Sequence, residues 1–361
     1  MKMKKVFAVL LMTVIVLTAC AACSDPGTVT INVYNWGQYI GVGEEGTIDV
    51  IKEFEEKTGI RVNYTTYDSN ESMYSKLEIG GSSYDVIFPS DYMVERLIEN
   101  DMLEEINFDN IPNFQYVDDE FKNPAYDPTN AYSVPYTFGY VGIIYNTKYV
   151  TKPVDSWNAL WDPDYSGKIL MFDNPRDAFG IAQFLLGQDI NTEDKSDYYA
   201  CYQKLSEQKP LVQEYVMDQI FQQMENEEAW IAPYYAGDFL TMQETNENLA
   251  FAFPKEGYNY FVDAICIPKG CKNKEAAEAF INFICDPEIS GKNCEAIGYS
   301  TPISAAKEYY EDTELASNPI AYPSKEVFER ADMFTNLKDE TLQYANELWL
   351  AVKSGTKVEE E

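Results

Sequence analysis

The sequence predicts an α/β protein of two lobes, and three observations carry that prediction. Between residues 30 and 90, short apolar strands alternate with helices in the order β-α-β-α-β, which folds into an α/β layer. An apolar run at 139–146 reads as a strand crossing out of that layer, and a second series of strands and helices follows it. The 361 residues suffice for two domains of ordinary size.

The first strand shows Ile31 and Val33 alternating with Asn32, then breaks at Asn35 into a loop displaying Trp36, Gln38 and Tyr39 around Gly37. Open α/β sheets hold ligands at such carboxyl ends of strands. A Gly-rich insertion at 41–46 precedes a helix with Ile48, Ile51 and Phe54 on one face and Gly59 as its stop. Ile60, Val62 and Tyr64 alternate as a second strand. Residues 69–77 form a capped helix closed by Gly80 and Gly81. The near-continuous apolar run 84–89 suits the middle of a parallel sheet and ends in Ser90, Asp91 and Tyr92.

Beyond the crossing strand, residues 156–161 suggest a short helix and 168–172 a strand. That strand ends in Asp173-Asn174-Pro175-Arg176-Asp177, ahead of a helix expected over 178–186. An aspartate in that place is an ordinary N-cap, the role expected of one of Asp173 and Asp177. Helices are expected at 198–205 and 218–226, and a strand end at 230–238 bears Tyr234, Tyr235 and Asp238. Strands follow at 251–254 and 260–268. The second sets Asp263 among Phe261, Val262, Ala264 and Ile265. A carboxylate there is costly to bury unless a neighbouring Arg or Lys, or a cationic ligand, meets it. A helix over 273–285 would bury Ala277, Phe280, Ile281 and Ile284. Tyr299 sits in another aromatic loop, and a last helix over 339–352 packs Leu342, Leu348 and Trp349.

Composition narrows the function. The formal charge of −33, from 27 basic and 60 acidic side chains, repels nucleic acid and acidic membrane surfaces and concentrates cations, though most of these groups are solvated surface. No histidine is present, which removes Ser-His-Asp and Cys-His nucleophile activation and most zinc or copper sites. The 28 tyrosines suit a wet, aromatic-lined cleft.

The amino terminus reads as an address. Lys2, Lys4 and Lys5 precede an apolar run at 6–17 too short to span a bilayer, and Leu17-Thr18-Ala19-Cys20 resembles a bacterial lipobox. Residues 1–19 are then a signal peptide, Cys20 the lipidated residue and 20–27 a tether, with Cys23 the weaker alternative. Three lysines leave with residues 1–19, so 24 basic side chains face 60 acidic ones and the mature charge is −36. The expected location is the outer face of the cytoplasmic membrane, periplasmic where an outer membrane exists. Of Cys201, Cys266, Cys271, Cys285 and Cys294, at least one is unpaired within the chain, and none is assigned to function.

Tyr34 to Tyr39, Thr58-Gly59-Ile60, residues 66–71, Tyr84-Asp85, residues 89–92 and 132–136 stand in a characteristic order. Ser156-Trp157, Leu160-Trp161, residues 254–257, Asp263, Asn282-Phe283 and Ile297-Gly298-Tyr299 continue it. In that order and spacing the chain resembles the spermidine/putrescine-binding proteins of ABC importers over nearly its whole mature length. The resemblance implies a two-lobe, type II periplasmic-binding-protein-like fold with the ligand cleft between lobes. Lobe one would take 28–138 and 262–307, and lobe two 142–258 and 311–361. It implies a monomer that captures a polyamine and hands it to the permease subunits, with no catalysis, cofactor or metal.

Carried over position by position, the ligand-binding residues are Trp36, Gln38, Tyr39, Ser90, Tyr92, Asn174, Asp177, Tyr234, Phe261, Asp263 and Tyr299. Tyr234 and Phe261 stand where the family often has Trp. Asn174 and Gln38 are amides at positions that carry acids in the family, and Phe334 falls near a family glutamine. With Asp177 and Asp263 as the sure anions, two charges match a diamine. The expectation is that putrescine binds at least as well as spermidine. Two rivals stand beside this reading: ferric-ion capture by Tyr234 and Tyr235, and a lipid-anchored glycosidase using Asp173 and Asp177. A sensor signalling to a receptor would share the same features.

Overall fold

The computed structural model describes residues 28–80, 83–311 and 315–360. The signal segment, Cys20, the tether and Gly81 lie outside them. The chain opens with β1 (Thr30–Trp36), α1 (Val50–Thr58), β2 (Arg61–Tyr67), α2 (Asn70–Ile79), β3 (Val86–Ile87) and α3 (Asp91–Glu99). Both β2 and β3 lie parallel to β1, as the alternation expects. The local signals act where they stand. Asp49 caps α1 by accepting from the Lys52 amide, and Gly59 ends that helix at φ +74°. Ser69 and Ser72 close a reciprocal capping box on α2. The strand expected over 84–89 shrinks to two residues because side chains claim its end. The Phe88 carbonyl accepts from the Trp36 indole N–H and the Tyr67 hydroxyl instead of a neighbouring strand.

The crossing strand is longer than its apolar run suggested. It is β4 (Ser133–Asn146), buried along nearly its whole length. The second half of the molecule adds β5 (Ile169–Phe172), α4 (Pro175–Leu186), α5 (Lys195–Gln208), β6 (Val212–Val216), α6 (Gln219–Glu225) and β7 (Ile231–Tyr235). Next come α7 (Ala236–Thr245), β8 (Leu249–Ala252), β9 (Tyr258–Cys266), α8 (Lys274–Ile284) and α9 (Pro287–Ile297). The chain finishes with α10 (Lys325–Phe328), β10 (Ala331–Asp332) and α11 (Asp339–Ser354).

The strands run in the order β2-β1-β3-β9-β4-β7-β5-β6, with β10 beside β9 and β8 beside β4. From Ser133 to Tyr140, β4 pairs antiparallel with β9; from Val141 onward it pairs with β7 and β8. Thus β4 and β9 run through the middle, with a parallel-stranded half on either side. The first half carries α1 to α3, α8 and α9. The second carries α4 to α7 and α11, with α11 packed on α5 and α4. One buried core runs through both halves: Ile31, Phe54, Phe88 and Phe280 fill it in the first, and Trp157, Phe172, Phe179 and Phe239 in the second.

Several elements escaped the pattern, among them α3, α10, β10, β6, α7 and α9. In β6, Gln213 and Glu214 are exposed on an edge strand, so apolar alternation is faint. α7 starts directly where β7 stops, and α9 buries Ser290, Gly291 and Asn293 where an apolar stripe would be sought.

Candidate functional site

Strand and helix ends from both halves converge on one cavity enclosing about 670 Å³ of unfilled space, open mouth included. Trp36, Gly37 and Tyr39 reach it from the end of β1, and Ser90 and Tyr92 from the start of α3. β9 supplies Phe261 and Asp263 as its floor, and Tyr299 closes that side. From the other half come Asn174 and Asp177 at the start of α4, Tyr234, Tyr235 and Asp238 around the β7–α7 junction, and Phe334.

The carboxylates share one construction. Each takes a hydrogen bond from a tyrosine hydroxyl: Tyr39 donates to Asp263 Oδ2 at 2.6 Å, Tyr235 to Asp177 Oδ2 at 2.9 Å, and Tyr299 to Asp238 Oδ1 at 3.1 Å. The last of these joins the two halves across the cavity. Asp263 is 4% exposed, and its Oδ1 has no partner at hydrogen-bonding distance. Burial pushes Asp263 up to about 6, and the adjacent Ser90 side chain and the Tyr39 hydroxyl oppose the rise. Burial likewise lifts Asp177 to about 7; its bond from Tyr235 opposes the rise, and nearby Glu71 adds to it. Asp238 rises to about 8 through burial and the Asp218 charge. Burial has stripped these groups of water, with Arg176 offsetting the rise of Asp177 only in part, and an ammonium ligand would relieve that condition.

Aromatic rings make the walls. Tyr39 meets Tyr299 edge-on at 4.7 Å, Tyr235 meets Phe261 at 5.5 Å, and Tyr92 stands perpendicular to Phe334 at 6.1 Å. The Trp36 indole is held by its bond to the Phe88 carbonyl. Asp91 lines the cavity but serves the fold: its carboxylate accepts from the Tyr92 and Val262 amides, pinning α3 to β9.

Ten of the eleven residues carried over from the resemblance lie together on this cavity. Gln38 does not. It takes φ +49°, a left-handed turn, and faces a separate groove with Ile40, Phe221 and Thr241. Asn174 spends its side-chain oxygen capping α4 through the Arg176 amide, so that helix starts at Pro175 and neither expected aspartate is the cap. Tyr234 is 2% exposed and stacked on Phe172, behind Tyr235, which touches both Phe261 and Asp177.

The expected count of two anions was short. Asp238 stood in the sequence as one more acid after a strand; nothing local marks it, and only the bond from Tyr299, 61 residues away, brings it in. Asp68 and Asp218 also reach the cavity. Asp218 presses on Gly37 so closely that a Cβ there would sit 2.2 Å from its Oδ2.

The rivals fare poorly on this geometry. Asp173 pairs with Lys353 and stays off the cavity, so it cannot act with Asp177 as a catalytic pair. Tyr234 is stacked on Phe172 behind Tyr235, and the Tyr235 hydroxyl is committed to Asp177, so the two phenols are not arranged as a shared iron-ligating pair. Among the described residues no group of three or more His, Cys, Asp or Glu could hold a metal, and all five cysteines there are free thiols. No helix among them is long and apolar enough to cross a membrane.

A cavity walled by two halves of the fold, with charged acceptors and aromatic faces, defines a binding protein that surrounds its ligand. The comparisons with known proteins give the family. The family model described as bacterial extracellular solute-binding protein matches residues 49–323. The chain is 32% identical to the spermidine/putrescine-binding periplasmic protein of Salmonella typhimurium, covering 90% of this chain and 92% of that one. Among solved structures, a Listeria monocytogenes protein provisionally assigned to spermidine/putrescine ABC transport superposes with a TM-score of 0.86 at 37% identity, over 90% of this chain and 99% of that one. The TpPotD lipoprotein of Treponema pallidum gives 0.78 at 28%, over 90% and 99%. The chain belongs to the bacterial extracellular solute-binding protein family, and its two-lobe architecture is that of the PotD-type members.

Proposed function

We propose that this protein captures a linear polyamine outside the cytoplasm and delivers it to an ABC importer, without catalysis. The observation that carries the reading is the set of three carboxylates, Asp177 and Asp263 buried and Asp238 half-buried, each braced by one tyrosine, between aromatic walls. Ammonium groups take charge-assisted hydrogen bonds from the carboxylates, and methylenes pack on the rings, where cation–π attraction adds about 0.5–2 kcal/mol per contact. The names of the relatives point the same way. Asp238 removes the reason for favouring a diamine, because a third ammonium now has an acceptor. Spermidine is therefore expected to compete with putrescine on equal terms.

Isothermal titration against putrescine, spermidine and uncharged 1,4-butanediol tests this. Dissociation constants of about 1 μM or tighter are expected for the amines, near −8 kcal/mol, with no heat from the diol. Failure of every polyamine to bind would refute the reading.

We further propose that Cys20 carries the lipid anchor and that residues 20–27 tether a monomer to the membrane. Two or more acyl chains there would make attachment stable. Cys20→Ser is expected to leave the precursor uncleaved and unacylated by mass spectrometry. An acylated Cys23 in the wild type would show the assignment to be wrong.

A further inference from the structure

Behind Tyr92 lies a second cavity between the two halves of the fold, enclosing about 930 Å³ of unfilled space, mouth included. Tyr92 lines both cavities. Its ring and that of Phe334, perpendicular at 6.1 Å, stand where the two spaces adjoin. The second cavity repeats the construction of the first. The Tyr92 hydroxyl donates to Glu71 Oε1 at 2.9 Å and accepts from Asn70 Nδ2 at 3.1 Å, which fixes the phenol. Glu71 Oε2 is buried and has no hydrogen-bond partner. Asn336 Oδ1, from the other half, is a second buried acceptor without a donor in the same cavity.

Two arginines also border this space; their charges oppose the rise that burial imposes on Glu71, and most of their N–H groups are committed elsewhere, Arg176 Nε alone being buried without a partner. Arg96 pairs with Asp339 at 2.8 Å and stacks on Tyr74. Arg176 donates to the Ile190 and Thr335 carbonyls and to Asn191 Oδ1, with its guanidinium 4.2 Å from the centre of the Phe334 ring. Arg176 therefore holds the partition from behind and directs these N–H groups to backbone and amide oxygens. Glu71 and Asn336 are left as acceptors. A buried carboxylate oxygen with no donor is unfavourable unless something cationic reaches it.

We propose that this second cavity is a subsite for the terminal ammonium of a polyamine longer than the main cavity holds, with Glu71 as its acceptor and the Tyr92–Phe334 pair as the partition it passes. The proposal rests on the polyamine reading above and adds the ligand length that the site admits. A tetraamine such as spermine would fill the three braced aspartates and send its fourth ammonium past Tyr92 to Glu71. A diamine would never reach it.

The test is isothermal titration of the full mature protein with putrescine and spermine. Glu71→Gln keeps the acceptor for the Tyr92 hydroxyl and removes the charge. It should weaken spermine about tenfold, the loss of one charge-assisted bond, while putrescine changes by less than about twofold. Phe334→Ala should raise the preference for spermine over putrescine, and adding Glu71→Gln should cancel that gain. Equal losses for both amines would show that Glu71 only positions Tyr92, and an unchanged spermine affinity would show that it does nothing; either overturns the subsite alone. Wild-type protein that binds neither amine would bring down the polyamine reading and this subsite with it.

Discussion

Asp263→Asn is expected to raise the dissociation constant for putrescine roughly ten- to a hundredfold while the protein stays folded. The wild-type carboxylate offers Oδ1 to the cavity with nothing bound to it, and Tyr39 holds Oδ2. Asparagine retains the shape and an oxygen for Tyr39 but places a neutral amide against a desolvated ammonium. Losing a charge-assisted bond to a buried cation costs about 1.5–3 kcal/mol. The fold should survive because Asp263 is held by one phenol and its own strand ladder. Removing a buried charge that lacks a counter-ion is itself favourable. Titration calorimetry with circular dichroism decides it: normal dichroism with unchanged affinity would show that Asp263 does not face the ligand.

The second large effect is on pH. Asp263, Asp177 and Asp238 are lifted to about 6, 7 and 8 by burial, and each must be ionised to grip an ammonium. Polyamine affinity should therefore fall by about a hundredfold or more between pH 8.5 and pH 5.5, one decade for each pH unit below each carboxyl's titration point. Binding near pH 7 should release protons, visible as a buffer-dependent heat.

Stability without ligand moves the opposite way. These carboxyls hold protons that the unfolded chain, titrating near 4, has already lost. Their stabilising contribution is complete below about pH 4 and is lost as pH rises through 6 to 8. Saturating putrescine should accordingly raise the thermal midpoint more at pH 8.5 than at pH 5.5. An affinity flat across that range would mean that these carboxyls are not the ligand's partners.

Much of the fold was legible because its signals are local. Gly59, the Ser69 cap and the alternation of Ile31 and Val33 each act within a few residues, and the structure uses each as read. The misses were matters of partners. Asn174 took the cap that an aspartate was expected to supply, since a side-chain amide oxygen serves the Arg176 amide equally well and Pro175 fits the first helical turn. Gln38 sits between two residues that do face the cavity, yet its positive φ turns it away, and no neighbouring residue announces that turn. Tyr235 and Asp238 were visible as residues but not as wall and acceptor. Their roles depend on Asp177, Phe261 and Tyr299, which lie far off in the chain.

The two central strands have a consequence for how the chain comes into being. Ser133 pairs with Cys266 and Tyr140 with Tyr260, partners more than a hundred residues apart. The first half of the molecule therefore has an unfinished sheet until the ribosome has made most of the second half. Contacts so distant in sequence are slow to form, because a long loop must be closed before any pairing repays it. For a protein with the export signal read at residues 1–19, slowness is an advantage. A chain that cannot complete its first sheet early stays unfolded longer, and an unfolded chain is one that can still be threaded through a membrane.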